Sequence, residues 1–131
     1  MNLLFIDHIS IAVKNLKKAI EKYKRALDIT PDDFYKDDRE KINVARYNFG
    51  KTIFELMEST DKDGEVAKFI RNKGEGIFLI SFRIDNVEEA MKGLKNKGIS
   101  VIDEKPRKFR ERNYTFIHPK ELCGVLVELI D

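Results

Sequence analysis

An internal repeat constrains this chain more than any other feature. His8 to Asn15 reads H-I-S-I-A-V-K-N, and Leu79 to Asn86 reads L-I-S-F-R-I-D-N. In both copies isoleucine and serine follow the first position, and a branched aliphatic residue stands two places before the asparagine. The correspondence continues at the same offset, with Leu16, Ala19 and Ile20 matching Val87, Ala90 and Met91. A repeated half-chain cannot close a core by itself, so two such units are expected to pack together. The copies differ in kind at one position, where His8 meets Leu79.

A chain of 131 residues has the length of one domain. Its 25 Lys and Arg nearly balance 23 Asp and Glu, for a net charge of +2. That balance does not select nucleic acid or an acidic membrane as partner. No apolar run approaches the length of a transmembrane helix. The first residues, M-N-L-L-F-I-D, lack the basic region and small-residue cleavage site of a signal peptide. Cys123 is the single cysteine and cannot form an internal disulfide. A soluble cytoplasmic protein is expected.

Residues 4–13 alternate, with Ile9, Ile11 and Val13 on one face and His8, Ser10 and Ala12 on the other. Period two predicts a strand. Asn15 is placed to cap a helix, and Leu16, Ala19, Ile20, Tyr23 and Leu27 recur at helical spacing. Pro31 disfavours continuation of that helix. Residues 32–41 read as a weak strand or loop. Ile42 to Phe49 and Thr52 to Glu58 read as two strands joined around Gly50-Lys51. Glu65 to Lys73 reads as a short helix stopped by Gly74. In the second copy, Ile77 to Ile84 is a strand, and Asn86 with Glu89 starts a helix that Gly98 ends. Ile99 to Ile102 reads as a short strand, Lys105 to Arg112 as a basic loop, and Tyr114 to Ile117 and Gly124 to Ile130 as the last two strands. The order is strand, helix and three strands, twice over.

The chemistry lies at matching positions of the repeat. Phe54-Glu55-Leu56 corresponds to Val127-Glu128-Leu129, so each copy carries a carboxylate inside an apolar strand. An ionised carboxylate in a dry site is costly unless it is paired or binds a metal. One such glutamate alone fits an edge strand, or a residue facing water or a lysine. Two at matched positions, with His8 and Ser10 on the face away from the expected helix, suggest one cavity lined by all four. Imidazole plus carboxylates suits a catalytic divalent metal with open positions. Arg83 takes the place of Ala12 of the first copy, and could pair with Glu55 or Glu128 in a metal's stead. His118-Pro119 reads as a turn and Cys123 as inert.

The chain resembles the vicinal oxygen chelate superfamily of glyoxalase I, extradiol dioxygenases and antibiotic-resistance proteins. Within it, the chain is similar to the methylmalonyl-CoA epimerase branch. The segments that carry this are D-H-I-S-I-A-V-K-N-L at 7–16, E-L-M-E-S at 55–59, A-K-F-I-R-N-K-G-E-G-I at 67–77 and H-P-K-E-L-C-G-V-L-V-E-L at 118–129. The resemblance implies an α+β fold: two tandem βαβββ modules forming a curved, barrel-like eight-stranded sheet with helices outside. One domain spans 1–131, with module one at 1–60, a connecting helix at 61–75 and module two at 76–131.

The resemblance also implies a function and a site. His8, Glu55 and Glu128 fall on three metal-ligand positions, for a divalent ion such as Co, Mn, Ni or Zn. The fourth, a histidine in the family, falls on Leu79, so the ligand set is incomplete. The implied reaction is removal of a proton alpha to a thioester carbonyl, with Glu128 as one acid–base group. The second falls on Arg39 in an ungapped alignment, and on Glu40 if the register shifts by one residue. Beside the resemblance, the basic loop at 105–112 reads either as a solvated loop or as a contact of Arg110 and Arg112 with the phosphates of an acyl-CoA, and Arg83 is a further candidate substrate contact. A homodimer is implied. The alternatives are a glyoxalase I-like lyase acting on another thiol adduct, and a metal-free small-molecule binding protein of the resistance type.

Overall fold

The computed structural model describes Met1–Asp131. The chain runs β1 (Leu3–Ala12), α1 (Leu16–Leu27), β2 (Asp33–Asp37), β3 (Ile42–Phe49), β4 (Thr52–Ser59) and α2 (Glu65–Lys73). It continues as β5 (Gly76–Ile84), α3 (Val87–Asn96), β6 (Arg107–Phe109), β7 (Arg112–Ile117) and β8 (Val127–Ile130), with a 3₁₀ turn at Pro119–Glu121. Strand, helix and three strands thus occur twice, with α2 between them, as the repeat implies for an α+β chain. The eight strands are hydrogen-bonded in the order β2-β3-β4-β1-β5-β8-β7-β6. No helix is long and apolar enough to cross a membrane.

Two compact units divide the chain inside β1. The first contains Met1–His8 and Leu79–Asp131, and the second contains Ile9–Phe78. In the first unit, α3 starts where Asn86 Oδ1 accepts from Glu89 N at 2.9 Å. Asp131 Oδ2 accepts from Val87 N at 3.0 Å, so the end of the chain satisfies a second free N–H of that first turn. Val87, Ala90 and Leu94 then face Ile84, Ile117, Val127 and Leu129 in one apolar cluster. β8 lies parallel to β5, with Ser81 opposite Glu128, and antiparallel to β7, with Phe116 opposite Glu128.

In the second unit, Asn15 Oδ1 accepts from Lys18 N at 2.9 Å and starts α1. The helix ends at Asp28, a left-handed residue whose N–H reaches Lys24 O at 3.0 Å. α1 lays Leu16, Ala19, Ile20 and Tyr23 against Val13, Ala45, Tyr47, Phe54 and Leu56. The β3–β4 hairpin turns at Gly50, whose φ of 66° favours glycine. α2 covers the other side of these strands, where Val66, Phe69 and Ile70 meet Ala12, Ile42, Val44 and Met57.

That contact corrects one expectation. Side chains two apart on a strand share a face, so Ala12, Val44 and Met57 lie on the face of Ser10, Arg46 and Glu55. This face was expected to be free of helix. α2 instead closes its apolar end and leaves the polar end to the functional side chains.

Of the two readings left open for residues 32–41 the strand holds, and two other expectations change. Asp33–Asp37 is a full strand paired with β3, with Asp33 opposite Arg46 and Asp37 opposite Ile42. Ile99 to Ile102 is no strand, and makes a single bridge from Val101 to Ile117. The basic stretch expected to be a loop supplies the missing strand, β6, paired with β7 from Arg107–Tyr114 to Phe109–Arg112. The physical reason is that both segments use the same edge of β7. Between them the chain bends at Asp103–Pro106, where Asp103 grips Arg107 with bonds of 2.8 and 3.0 Å. Pro106 has no N–H to offer a ladder.

Two substitutions test this packing. Leu94→Ala should destabilise the protein by roughly 2–5 kcal/mol through the cavity it opens. Asn86→Ala should remove about 1 kcal/mol through the lost cap. Urea denaturation followed by circular dichroism measures both.

Candidate active site

In the first unit the polar side chains gather around His8. Asp7, His8, Ser81 and Glu128 are all buried. Strand register sets Ser81 beside Glu128, and Asp7 is the neighbour of His8 along β1. Ser81 stands opposite Glu128 on β5 and donates its Oγ–H to Glu128 Oε1 at 2.6 Å. His8 Nε2 lies 3.2 Å from the same oxygen. His8 Nδ1 lies 2.8 Å from Asp7 Oδ1, which fixes the ring with Nε2 toward Glu128. Both of these contacts of Glu128 fall on Oε1.

Asp7 anchors this arrangement. Its Oδ2 accepts from Arg83 Nε at 2.9 Å and from Nη2 at 2.5 Å. Arg112 Nη1 stands 3.7 Å away and is half exposed. Burial alone raises the Asp7 carboxyl, but the hydrogen bond and charge of His8, with Arg83 beside it, outweigh burial and hold it below its ordinary value. The expected pairing of Arg83 with Glu55 or Glu128 is therefore corrected, because Asp7 takes it. The sequence repeat pointed to the right cation on the right strand but missed Asp7, which sits beside the histidine in plain view.

In the second unit the carboxylate of Glu55 is 2% exposed. Ser10 donates to its Oε1 at 2.9 Å, and the Tyr35 hydroxyl donates to its Oε2 at 3.3 Å. Arg46, directly opposite on β3, puts Nε 3.2 Å from Oε2. The Arg46 guanidinium also lies 5.7 Å from the Tyr35 ring centre. Neither Tyr35 nor Arg46 was singled out from the sequence. The signal existed, since hairpin counting around Gly50 sets Arg46 against Glu55.

The modules therefore share one device and differ in one residue. In each, the serine of the repeat donates to the glutamate of the last strand. The residue across the next ladder is Arg46 for Glu55 and Phe116 for Glu128. Glu55 is neutralised by a cation of its own chain, whereas Glu128 faces an imidazole.

This bears on the expected metal. His8 Nε2 and Glu128 Oε1 are close enough to share an ion, but Leu79 is a buried apolar residue without a donor. Glu55 is engaged by Arg46. No group of three or more His, Cys, Asp and Glu side chains is placed to hold a metal ion. Within the first unit His8 and Glu128 supply two donors, one short of the three protein ligands of a catalytic ion.

The remaining candidates are placed as follows. Glu40 is half-buried in the turn after β2, and its N–H and that of Arg39 both reach Asp37 Oδ1, at 3.1 and 3.0 Å. Arg110 is a left-handed residue in the β6–β7 turn, stacked 5.2 Å over the Phe109 ring. Arg107 lies 5.0 Å over Phe116. His118 caps the 3₁₀ turn, accepting from Lys120 N at 3.1 Å, as a turn residue should. Cys123 is exposed.

Comparison with known proteins places this geometry. Residues 7–116 match the sequence profile of the Glyoxalase/Bleomycin resistance protein/Dioxygenase superfamily. Human mitochondrial methylmalonyl-CoA epimerase is 33% identical over 130 residues, covering 98% of this chain and 74% of the human protein. A methylmalonyl-CoA epimerase of Streptomyces coelicolor, in complex with 2-nitronate-propionyl-CoA, superposes with a TM-score of 0.89 at 29% identity, covering 98% of this chain and 94% of that one. A methylmalonyl-CoA epimerase with bound methylmalonyl-CoA and NH4+ superposes with a TM-score of 0.88, also at 29% identity, covering 98% and 94%. The chain belongs to the glyoxalase/bleomycin resistance/dioxygenase superfamily, in its methylmalonyl-CoA epimerase-like family.

Proposed function

We propose that this protein is an isomerase that moves the proton on the carbon alpha to a thioester carbonyl, with an acyl-CoA as substrate. One observation carries the reading: Glu128 is buried and oriented through Oε1 by Ser81 and His8. A positioned carboxylate is what proton abstraction asks for. The CoA ligands of the similar Streptomyces coelicolor epimerase support an acyl-CoA substrate.

The chain's own groups divide the task. Glu128 Oε2 takes the alpha proton, and His8 and Ser81 keep the carboxylate from turning away. Asp7, held by Arg83, keeps His8 in place. Loss of the proton leaves an enolate whose charge needs a nearby positive group or hydrogen-bond donor. Inversion then needs a proton delivered from the opposite face of the carbon. Glu40 is proposed for that role, supported by its half-buried position and a backbone fixed by Asp37.

Deuterium exchange at C2 of methylmalonyl-CoA in D₂O tests the reading. The wild type should exchange, and Glu128→Gln should slow exchange by about a hundredfold or more. Glu40→Gln should keep exchange while losing inversion. Wild-type protein without exchange would sink the proposal. A second measurement concerns position 79. Leu79→His should raise Co²⁺ affinity by about tenfold or more, by adding an imidazole donor near His8 and Glu128. A titration without such a gain would mean that position 79 is not a ligand position.

A further inference from the structure

The second unit carries a cation that the proton transfer proposed above does not use. Arg46 is tied by one edge only. Its Nε faces Glu55 Oε2 at 3.2 Å, yet this buried nitrogen lacks an aligned hydrogen bond. The guanidinium lies over Tyr35, and both Nη groups are left without hydrogen-bond partners. Its side chain is 28% exposed, with Nε shut off from solvent. The anchor is firm, because Glu55 is itself held by Ser10 and Tyr35.

The placement follows from packing. Arg46 follows Val44 on the same face of β3, and α2 covers Val44 together with Ala12 and Met57. The helix ends before the polar residues, so Arg46 presents its free donors where the apolar cover stops. A planar guanidinium with two open Nη groups matches the two oxygens of a carboxylate. Lysine would offer a point charge instead of a fork.

We infer that Arg46 is a binding residue for the carboxylate of an acid-bearing acyl ligand, supplying from the chain itself the positive charge that a divalent ion would bring. Glu55 is then the counter-ion that orients Arg46, rather than a metal ligand. The choice of ligand rests on the acyl-CoA reading above, while the fork itself rests on the geometry of Arg46.

Calorimetric titration in EDTA tests this with methylmalonyl-CoA and propionyl-CoA, thioesters that differ by the carboxylate. The wild type should bind methylmalonyl-CoA about tenfold tighter or more, the scale of a charge-assisted bidentate contact. Arg46→Met should bring the ratio to about one by removing that contact, with propionyl-CoA affinity little changed. Because that variant removes the cation beside the buried Glu55, the double variant Arg46→Met with Glu55→Gln is titrated as well. It should also lose the preference. A preference absent from the wild type in EDTA, or one that survives in the double variant, would overturn the inference. The two readings fail separately: a preference that depends on Arg46 without C2 exchange keeps the carboxylate site and removes the isomerase.

Discussion

Two carboxylates placed inside apolar strands are the constraint on which this structure depends. Burying an ionised glutamate is expensive unless hydrogen bonds and opposite charge replace water. Each module meets the requirement first with the serine of its opening strand, which donates to the glutamate of its closing strand. The remainder is met differently. Glu55 receives Arg46 and Tyr35, and Glu128 receives His8, which Asp7 and Arg83 hold in turn. Duplication supplied one solution twice, and divergence at the cross-strand residue made one carboxylate a counter-ion and left the other beside an imidazole.

Secondary structure serves this division. α3 covers one face of its strands with Val87, Ala90 and Leu94. α1 covers one face in the other unit, and α2 takes the apolar end of the opposite face. What stays uncovered by α2 is the polar end with Ser10, Arg46 and Glu55. The helices thus define the site by where they stop. Fixed caps at Asn15 and Asn86 set where α1 and α3 start.

Much of this was legible in the residues. Period-two and period-3.6 patterns located β1, α1, β3, β4, α2, β5 and α3 because each buries one face and punctuates its ends with Asn, Gly or Pro. The second module's second strand was misread because charge misled. Arg107–Phe109 is basic and short, and joins the sheet through ladder bonds to β7 instead of through buried side chains. Ile99 and Val101 look more strand-like, yet they pack on α3 and leave one bridge. Apolar character reports burial, and burial is not the same as pairing.

The sequence by itself determined the duplication, the element order and which residues could carry chemistry: His8, Glu55, Glu128, and the leucine at 79 that stands where the first copy has His8. Those follow from local periodicity and residue type. Only the tertiary structure decided the partners. Arg83 belongs to Asp7, Arg46 belongs to Glu55, and Glu128 belongs with Ser81 and His8. The reason is that a charge is paired by whichever group the strand register and side-chain reach bring within about 3 Å, the hydrogen-bonding range. Distances of that size between strands far apart in the chain are set by packing.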